Sequence, residues 1–67
     1  MQPPWMKYPE IPRGIGWRMG DGEEYYNAFY KWFSRLSAEE RHAYALANPA
    51  PEDWEDIYQM IADHPWL

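Results

Sequence analysis

The residue pair most suggestive of chemistry is Glu39 and His42, which form a Glu-x-x-His motif. Residues three apart share a helix face, and this spacing supplies ligands to the di-iron sites of helical bundles. Such a site requires a second pair and further carboxylates, whereas the chain has only one other histidine. Only a symmetric dimer could complete the ligand set. We therefore assign Glu39 to a capping turn and His42 to the surface, and we expect neither a metal nor another cofactor.

Nucleophilic and acid–base catalysis have little support in the residues present. The chain has no cysteine, and its two serines, Ser34 and Ser37, lack the context of a Ser-His-acid triad. His64 follows Asp63 near a predicted helix end, where a histidine interacts favourably with the helix dipole. A general base would also need a positioned partner and a pocket, and a chain of 67 residues leaves little room for one. We expect that the protein is not an enzyme.

The glycine-rich run at residues 14–20, GIGWRMG, does not have the pattern of a phosphate-binding loop. It lacks the Gly-Lys-Ser/Thr ending of a P-loop, and its glycine spacing differs from the dinucleotide-binding fingerprint. We interpret the glycines as positions at which the backbone approaches helices closely. Arg13 and Arg18 would then pair with helix carboxylates across that contact.

The remaining chemical feature is an excess of carboxylates toward the end of the chain. The formal charge is −5 at pH 7, and residues 50–67 carry acidic side chains without a single lysine or arginine. The acidic residues are Glu52, Asp53, Glu55, Asp56 and Asp63. Affinity for nucleic acids comes largely from basic groups that release counterions, so this surface opposes direct binding to DNA or RNA. The same charge argument rejects a helix-turn-helix interpretation of the second and third helices.

Two interpretations of these carboxylates stay open. Runs of charge usually form a solvated helix face. Alternatively, because no basic residue is interleaved with them, carboxylates on a rigid scaffold could imitate the phosphates of a nucleic acid and occupy a basic groove. The predicted partner-binding residues are Glu52, Glu55 and Asp56, supported by Asp53, Glu23 and Glu24. The implied partner is a basic surface of a protein or ribonucleoprotein complex.

The elements that must position these residues begin with a helix predicted over residues 21–36. Asp21 and Glu24 have the spacing of a capping box at its start. Large apolar side chains recur with helical periodicity and form one broad aromatic face. They are Tyr25, Tyr26, Phe29, Trp32, Phe33 and Leu36. A protein this small can fold only by covering that face.

A second helix is predicted over residues 38–47, started by a capping box of Ser37 and Glu40. Because it follows the first helix directly, the chain must turn sharply between the two. The helix is rich in alanine, and its expected apolar face is weak. That face consists of Ala43, Leu46, Ala47 and one side of Tyr44.

A third helix is predicted over residues 51–63, with Pro51 at its first position, where proline is favoured. Its apolar residues recur at the spacing of an amphipathic helix. They are Trp54, Ile57, Tyr58 and Ile61. His64 and Pro65 end the helix, and we expect Trp66 to fold back on the core.

Residues 1–20 are predicted to form an extended strap. Prolines disfavour a regular helix there, whereas the large apolar residues of the segment argue against disorder. We expect residues 8–19 to lie across the helices with Ile11 and Trp17 buried. The first few residues should fray, and Trp5 should pack on the body of the protein rather than act in a polyproline ligand.

Together these elements predict an all-α fold: a compact three-helix domain with an N-terminal extended strap rich in proline, glycine and aromatic residues. It forms a single domain over residues 1–67. Disulfides are excluded, so stability must come from packing or from a partner chain. Aromatic residues make up 19% of the chain and supply large buried areas. A homodimer is a further alternative, since a small core gains stability from association.

The start of the chain gives no sign of secretion. Residues 1–4 have no basic region and no apolar run behind them, and no stretch approaches the roughly 20 apolar residues of a membrane span. We expect a cytoplasmic protein that does not associate with a membrane.

The chain contains YPEIP at residues 8–12, GWRMG at 16–20, and NPAP at 48–51 followed by Trp54. In these motifs the chain resembles a small bacterial family of uncharacterised proteins. The resemblance covers most of the chain and implies no activity. In size, acidity, and lack of cysteine and catalytic groups, the protein is also similar to phage-encoded inhibitors of host defence, including anti-CRISPR proteins. That second similarity is one of type and assigns no residue roles.

Two functional hypotheses follow. In the first, a non-enzymatic acidic protein inhibits a nucleic-acid-handling complex, such as one of CRISPR interference, by occupying its basic groove as a DNA mimic. In the second, a small structural or regulatory adaptor binds its partner through an exposed aromatic patch. The candidate patch residues are Trp5, Tyr26, Tyr30 and Trp66. The first mode is sensitive to salt, and the second is largely independent of it.

Overall fold

The computed structural model describes residues 1–11 and 21–66, and within these ranges every regular element is helical. The elements are α1 (Pro4–Lys7), α2 (Asp21–Ser34), α3 (Ala38–Ala47), a 3-10 helix (Glu52–Trp54) and α4 (Ile57–Asp63). The Cα radius of gyration is 11.3 Å, close to the ~11 Å of a folded chain of this length. The expectation of a small all-α fold is confirmed.

The core forms where α2 meets α4 and the 3-10 helix. Phe29 and Phe33 are 0% and 1% exposed, and their rings stack with centroids 5.7 Å apart. Trp54, Ile57 and Ile61 complete the buried cluster from the other side. The aromatic face of α2 and the amphipathic pattern near the chain's end therefore cover each other, as their spacing predicts.

α2 ends at Ser34, two residues before the predicted boundary. The N–H groups of Arg35 and Leu36 donate to carbonyl oxygens only three residues back, at 3.1 and 3.2 Å, which tightens the end of the helix into the expected sharp turn. Arg41 Nη1 donates to the Leu36 carbonyl at 2.7 Å and ties the turn to α3. Asp21 is the first residue of α2, but its side chain, and with it the predicted capping box, lies outside the described residues.

The predicted capping box of α3 is confirmed. The Glu40 N–H donates to Ser37 Oγ at 3.1 Å, and the Ser37 N–H donates to Glu40 Oε1 at 2.8 Å. The predicted apolar face of α3 is confirmed at Tyr44 and wrong at its other members, because Ala43 and Ala47 are exposed and Leu46 is 70% exposed.

α3 packs mainly through the ring of Tyr44. That ring contacts Phe29, Trp32, Phe33 and Tyr58 at centroid distances of 5.2 to 6.0 Å. A tyrosine ring buries far more area than an alanine methyl group. One large side chain therefore determines which way the helix is turned.

The predicted helix over residues 51–63 is interrupted. Pro51 precedes the 3-10 helix as its N-cap instead of starting an α-helix, and α4 begins only at Ile57. The Trp54 N–H donates to the Pro51 carbonyl at 2.8 Å. Trp54, the last residue of the 3-10 helix, and Ile57, the first residue of α4, are nevertheless both buried in the core.

The prediction of an extended strap is wrong for its first part. Pro4–Lys7 forms one helical turn with Pro4 at its first position, where the missing N–H removes no hydrogen bond. Pro3 and Pro4 are buried rather than frayed. Ile11 is only half-buried, and the remainder of the predicted strap, with Trp17, Arg13 and Arg18, lies outside the described residues.

Tyrosine hydroxyl groups attach the N-terminal segment to the helices. Tyr25 Oη donates to the Gln2 carbonyl and Tyr44 Oη to the Met1 carbonyl, each at 2.7 Å. Trp5 packs against Trp54, with ring centroids 5.6 Å apart, which confirms its expected place on the body of the protein.

Tyrosines also fix the irregular segments on either side of α4. Tyr58 Oη donates to the Asn48 carbonyl at 2.6 Å, and Tyr30 Oη donates to the His64 carbonyl at 2.5 Å. Trp66 returns to α2 as expected, since its N–H donates to Ser34 Oγ at 3.0 Å. Its indole nevertheless stays 44% exposed.

Phe33→Ala is expected to lower the free energy of unfolding by about 3–5 kcal/mol, because it removes a fully buried ring and leaves a cavity. Urea unfolding followed by tryptophan fluorescence measures the change. Leu46→Ala is the control and should change stability by less than about 0.5 kcal/mol, since Leu46 is mostly exposed. Equal effects of the two substitutions would contradict the assigned core.

Stability should fall in alkaline solution. Burial raises the pKa of Tyr58 to about 12, and burial together with the neighbouring Tyr58 and Tyr25 hydroxyls raises the pKa of Tyr44. A raised pKa favours the neutral phenol in the folded state, so its stabilising contribution is complete below the unfolded value of about 10. It is lost as the pH rises from there toward about 12.

Urea unfolding at a series of pH values from neutral to alkaline measures this loss. In Tyr58→Phe, stability at neutral pH should be lower by about 1 kcal/mol, since the bond to Asn48 is lost. Its decline with alkaline pH should also be shallower, because one titrating group is absent. Identical slopes for the two proteins would refute the role of Tyr58.

Candidate functional site

The acidic segment, defined here as Glu52, Asp53, Glu55 and Asp56, occupies the 3-10 helix and the turn before α4. All four side chains are exposed. The same stretch buries Trp54, which is 3% exposed, and the next residue along, Ile57, is 0% exposed. The carboxylates therefore project from a backbone that two buried side chains hold in place.

Trp54 connects the acidic segment to α1 and to the first half of α2. Its ring lies 5.6 Å from that of Trp5 in α1 and 6.2 Å from that of Tyr26 in the first half of α2. Contacts between aromatic rings at these distances stabilise the fold beyond the contribution of the area that each ring buries. The acidic segment is thus anchored on α1, α2 and α4 together.

The two supporting carboxylates, Glu23 and Glu24, are exposed in the first turn of α2. Glu23 precedes Tyr26 by three residues and shares its helix face, which is the face that meets Trp54. Glu24 instead borders a pocket with Tyr8, Tyr25 and Ala28. Glu24 therefore lies at a pocket, whereas Glu23 shares a helix face with a residue that contacts Trp54.

These positions also have a structural explanation that requires no partner. Carboxylates in the first turn of a helix interact favourably with the positive end of its dipole. Glu23 and Glu24 occupy that position in α2, and Glu52 and Asp53 occupy it in the 3-10 helix. The solvated interpretation of the acidic residues consequently stays open beside the functional one.

The pocket beside Glu24 was not foreseen from the sequence. It has a volume of 280 Å³ and opens to solvent. The rings of Tyr8 and Tyr25 form a corner, with centroids 5.8 Å apart and planes at 82°. Lys7 Nζ lies 5.9 Å from the centroid of the Tyr25 ring. Burial and the neighbouring Tyr8 raise the pKa of Tyr25, against the opposing effect of its hydrogen bond to Gln2.

A second depression, of 210 Å³, lies between α3 and α4. Phe33 and Tyr58 line it, and Arg41, His42 and Gln59 contribute polar groups. His42 faces this depression instead of a set of ligands: in residues 1–11 and 21–66, no three His, Cys, Asp or Glu side chains are grouped so that they could hold a metal ion.

The residues predicted for an aromatic patch form a continuous row of rings through Trp54. The order along the row is Trp5, Trp54, Tyr26, Tyr30 and Trp66, with neighbouring centroids 5.6 to 6.2 Å apart. Trp54 is buried and the rings of Trp5, Tyr26 and Tyr30 are half-buried, whereas Trp66 is 44% exposed. Lys31 Nζ lies 4.8 Å from the Trp66 ring centroid. The exposed part of the row is therefore its Trp66 end.

In the part of the chain that the structure describes, no helix combines the length and the apolar character needed to cross a membrane.

No protein-family model, curated protein or solved structure matches the chain. The resemblances drawn from its motifs and its type stay predictions.

Proposed function

We propose that the protein is a non-enzymatic inhibitor that binds, through its acidic segment, the basic groove in which a protein or ribonucleoprotein complex holds nucleic acid. Within this class, we would first test a bacterial CRISPR interference complex, with the protein acting as a phage-encoded inhibitor. The proposal needs no catalytic group, cofactor or membrane. Its action is exclusion of DNA or RNA from a groove of opposite charge.

The observation that carries the proposal is the anchoring of the acidic segment. Two pairs of exposed carboxylates, Glu52 with Asp53 and Glu55 with Asp56, flank Trp54, a residue that is almost completely buried. Their backbone is already ordered by core packing, so less conformational entropy is lost when they meet a partner. Carboxylates held in this way can replace phosphates at basic side chains more effectively than an acidic tail could.

Net charge supports the same proposal. The chain carries −5 at pH 7, so a basic groove attracts it over the range of the Debye length. Such steering raises the association rate and makes it fall with added salt. Fast association helps a protein that must compete with DNA or RNA for the same groove.

Reversing the charges in the triple variant Glu52→Lys, Glu55→Lys and Asp56→Lys is expected to abolish binding of the complex. A matched triple variant, Glu10→Lys, Glu39→Lys and Asp63→Lys, makes the same change in net charge at exposed carboxylates elsewhere and should retain most of the affinity. Competition with labelled DNA for the purified complex measures both. Circular dichroism verifies that each variant is folded.

Asp56 is the N-cap residue of α4, so its substitution could disturb the helix. The milder double variant Glu52→Gln and Glu55→Gln leaves Asp56 unchanged and provides a second test. It should weaken binding measurably, and the loss should be larger at about 0.1 M salt than at 1 M, where charges are screened. Full inhibition by a folded triple variant would refute the proposal. So would equal losses in the triple variant and its matched control.

The second candidate, an adaptor that binds through an aromatic surface, is favoured by one observation, the exposed indole of Trp66 at the end of the aromatic row. Under the proposed inhibitor function, Trp66→Ala should leave salt-sensitive binding of the complex within about threefold of the unchanged protein. Tyr30→Phe is the matched control, since it keeps the ring beneath Trp66. A salt-resistant partner that is lost in Trp66→Ala and retained in Tyr30→Phe would favour the adaptor.

A further inference from the structure

We propose that the pocket lined by Tyr8, Glu24, Tyr25 and Ala28 binds an arginine side chain of the protein's partner. This inference rests on the proposed function, which supplies a partner with a basic surface. It adds a contact at a surface feature separate from the acidic segment. It also gives Glu24 a role of its own.

The walls of the pocket suit a cation. The Tyr8 and Tyr25 rings both line the pocket and stand nearly perpendicular, at 82°, with centroids 5.8 Å apart. A cation is attracted to the negative face of an aromatic ring within about 6 Å of its centroid. Lys7 Nζ already lies 5.9 Å from the Tyr25 centroid, so the protein itself places a cation against this ring.

The carboxylate of Glu24 selects arginine over lysine. Glu24 is exposed at the border of the pocket, one helical turn before Ala28. A guanidinium group is planar, stacks on aromatic rings and donates two parallel hydrogen bonds to a carboxylate. An ammonium group can satisfy the ring or the carboxylate but lacks this fork of donors.

The pocket has the size and the order that such a guest needs. Its volume of 280 Å³ equals roughly the share of nine water molecules in the liquid, enough for a guanidinium group and the adjoining methylene groups. Ala28 contributes only a methyl group to the wall. The bond from Tyr25 Oη to the Gln2 carbonyl, at 2.7 Å, holds the ring in place before the guest arrives.

A substitution of Lys7 distinguishes arginine binding in the pocket from a purely structural role of the pocket. The ammonium group of Lys7 lies 5.9 Å from the centroid of the Tyr25 ring and repels a guanidinium group that approaches the same ring. Removing this charge should therefore strengthen binding of arginine. If the pocket had only a packing role, loss of Lys7 would have no such effect.

The experiment titrates N-acetyl-arginine amide into the full chain and follows backbone amide resonances by NMR. We expect shifts centred on Glu24, Tyr25 and Ala28, and none with the neutral isostere N-acetyl-citrulline amide. Glu24→Gln should weaken binding about two- to fivefold, the range of an exposed ion pair. Glu23→Gln, the matched control at the neighbouring exposed carboxylate, should leave affinity within about 1.5-fold.

Lys7→Gln should strengthen binding about two- to fivefold, the range of an exposed cation–π contact. Tyr25→Phe retains the ring and should keep most of the affinity, whereas Tyr25→Leu should lose it. The amide spectrum itself reports whether each variant is folded. Shifts with citrulline equal to those with arginine, equal losses in Glu24→Gln and Glu23→Gln, or no gain in Lys7→Gln would overturn the proposal.

Failure of this inference is distinguishable from failure of the proposed function. N-acetyl-arginine amide could bind as described while the charge-reversed triple variant still inhibits fully. In that case the pocket proposal is supported, and the proposed inhibition through the acidic segment is wrong. If the acidic segment is required but arginine produces no shift at Glu24, Tyr25 and Ala28, the groove mechanism stands and the pocket proposal is wrong.

Discussion

Closure of the aromatic face of α2 is the constraint on which the rest of the fold depends. Phe29 and Phe33 are almost completely inaccessible to solvent, and each other long helix supplies part of their cover. α3 supplies the Tyr44 ring, whereas α4 supplies Ile57 and Ile61. A chain of this length buries a smaller fraction of its surface than a larger domain does. Each side chain that covers Phe29 and Phe33 therefore contributes a large share of the stability. The surface features follow from this arrangement, because the acidic segment is placed by the residues that close the core.

Tyrosines give the chain two means of order at once. Their rings enter the aromatic core, and their hydroxyl groups reach main-chain carbonyls where regular structure ends, at Met1, Gln2, Asn48 and His64. A phenol suits this position because one end is apolar and the other forms hydrogen bonds. The chain contains no cysteine, so no disulfide is available for the same purpose. The irregular segments are thereby held against the helices by contacts that also contribute to packing.

Local signals in the sequence predict those elements whose cause is local. The reciprocal pairing of Ser37 and Glu40 depends on four residues and appears as expected, and the periodic rings of α2 identify its buried face. Leu46 was misassigned because the orientation of α3 is decided by Tyr44 and its distant partners. The exposure of the acidic residues could be foreseen from their charge alone. The pocket could not, since Tyr8 and Tyr25 meet only after the unexpected turn of α1 brings them together.

Trp54 is buried, at 3% exposed, and joins the acidic segment to the aromatic row. It lies in the middle of the acidic segment and is also the second ring of the aromatic row, between Trp5 and Tyr26. Charge complementarity acts mainly on the rate of association, whereas desolvated aromatic contacts act mainly on the rate of dissociation. The two hypotheses thus describe separable kinetic steps. The salt dependence of the association rate, rather than of the equilibrium constant alone, is the quantity that assigns a contribution to each.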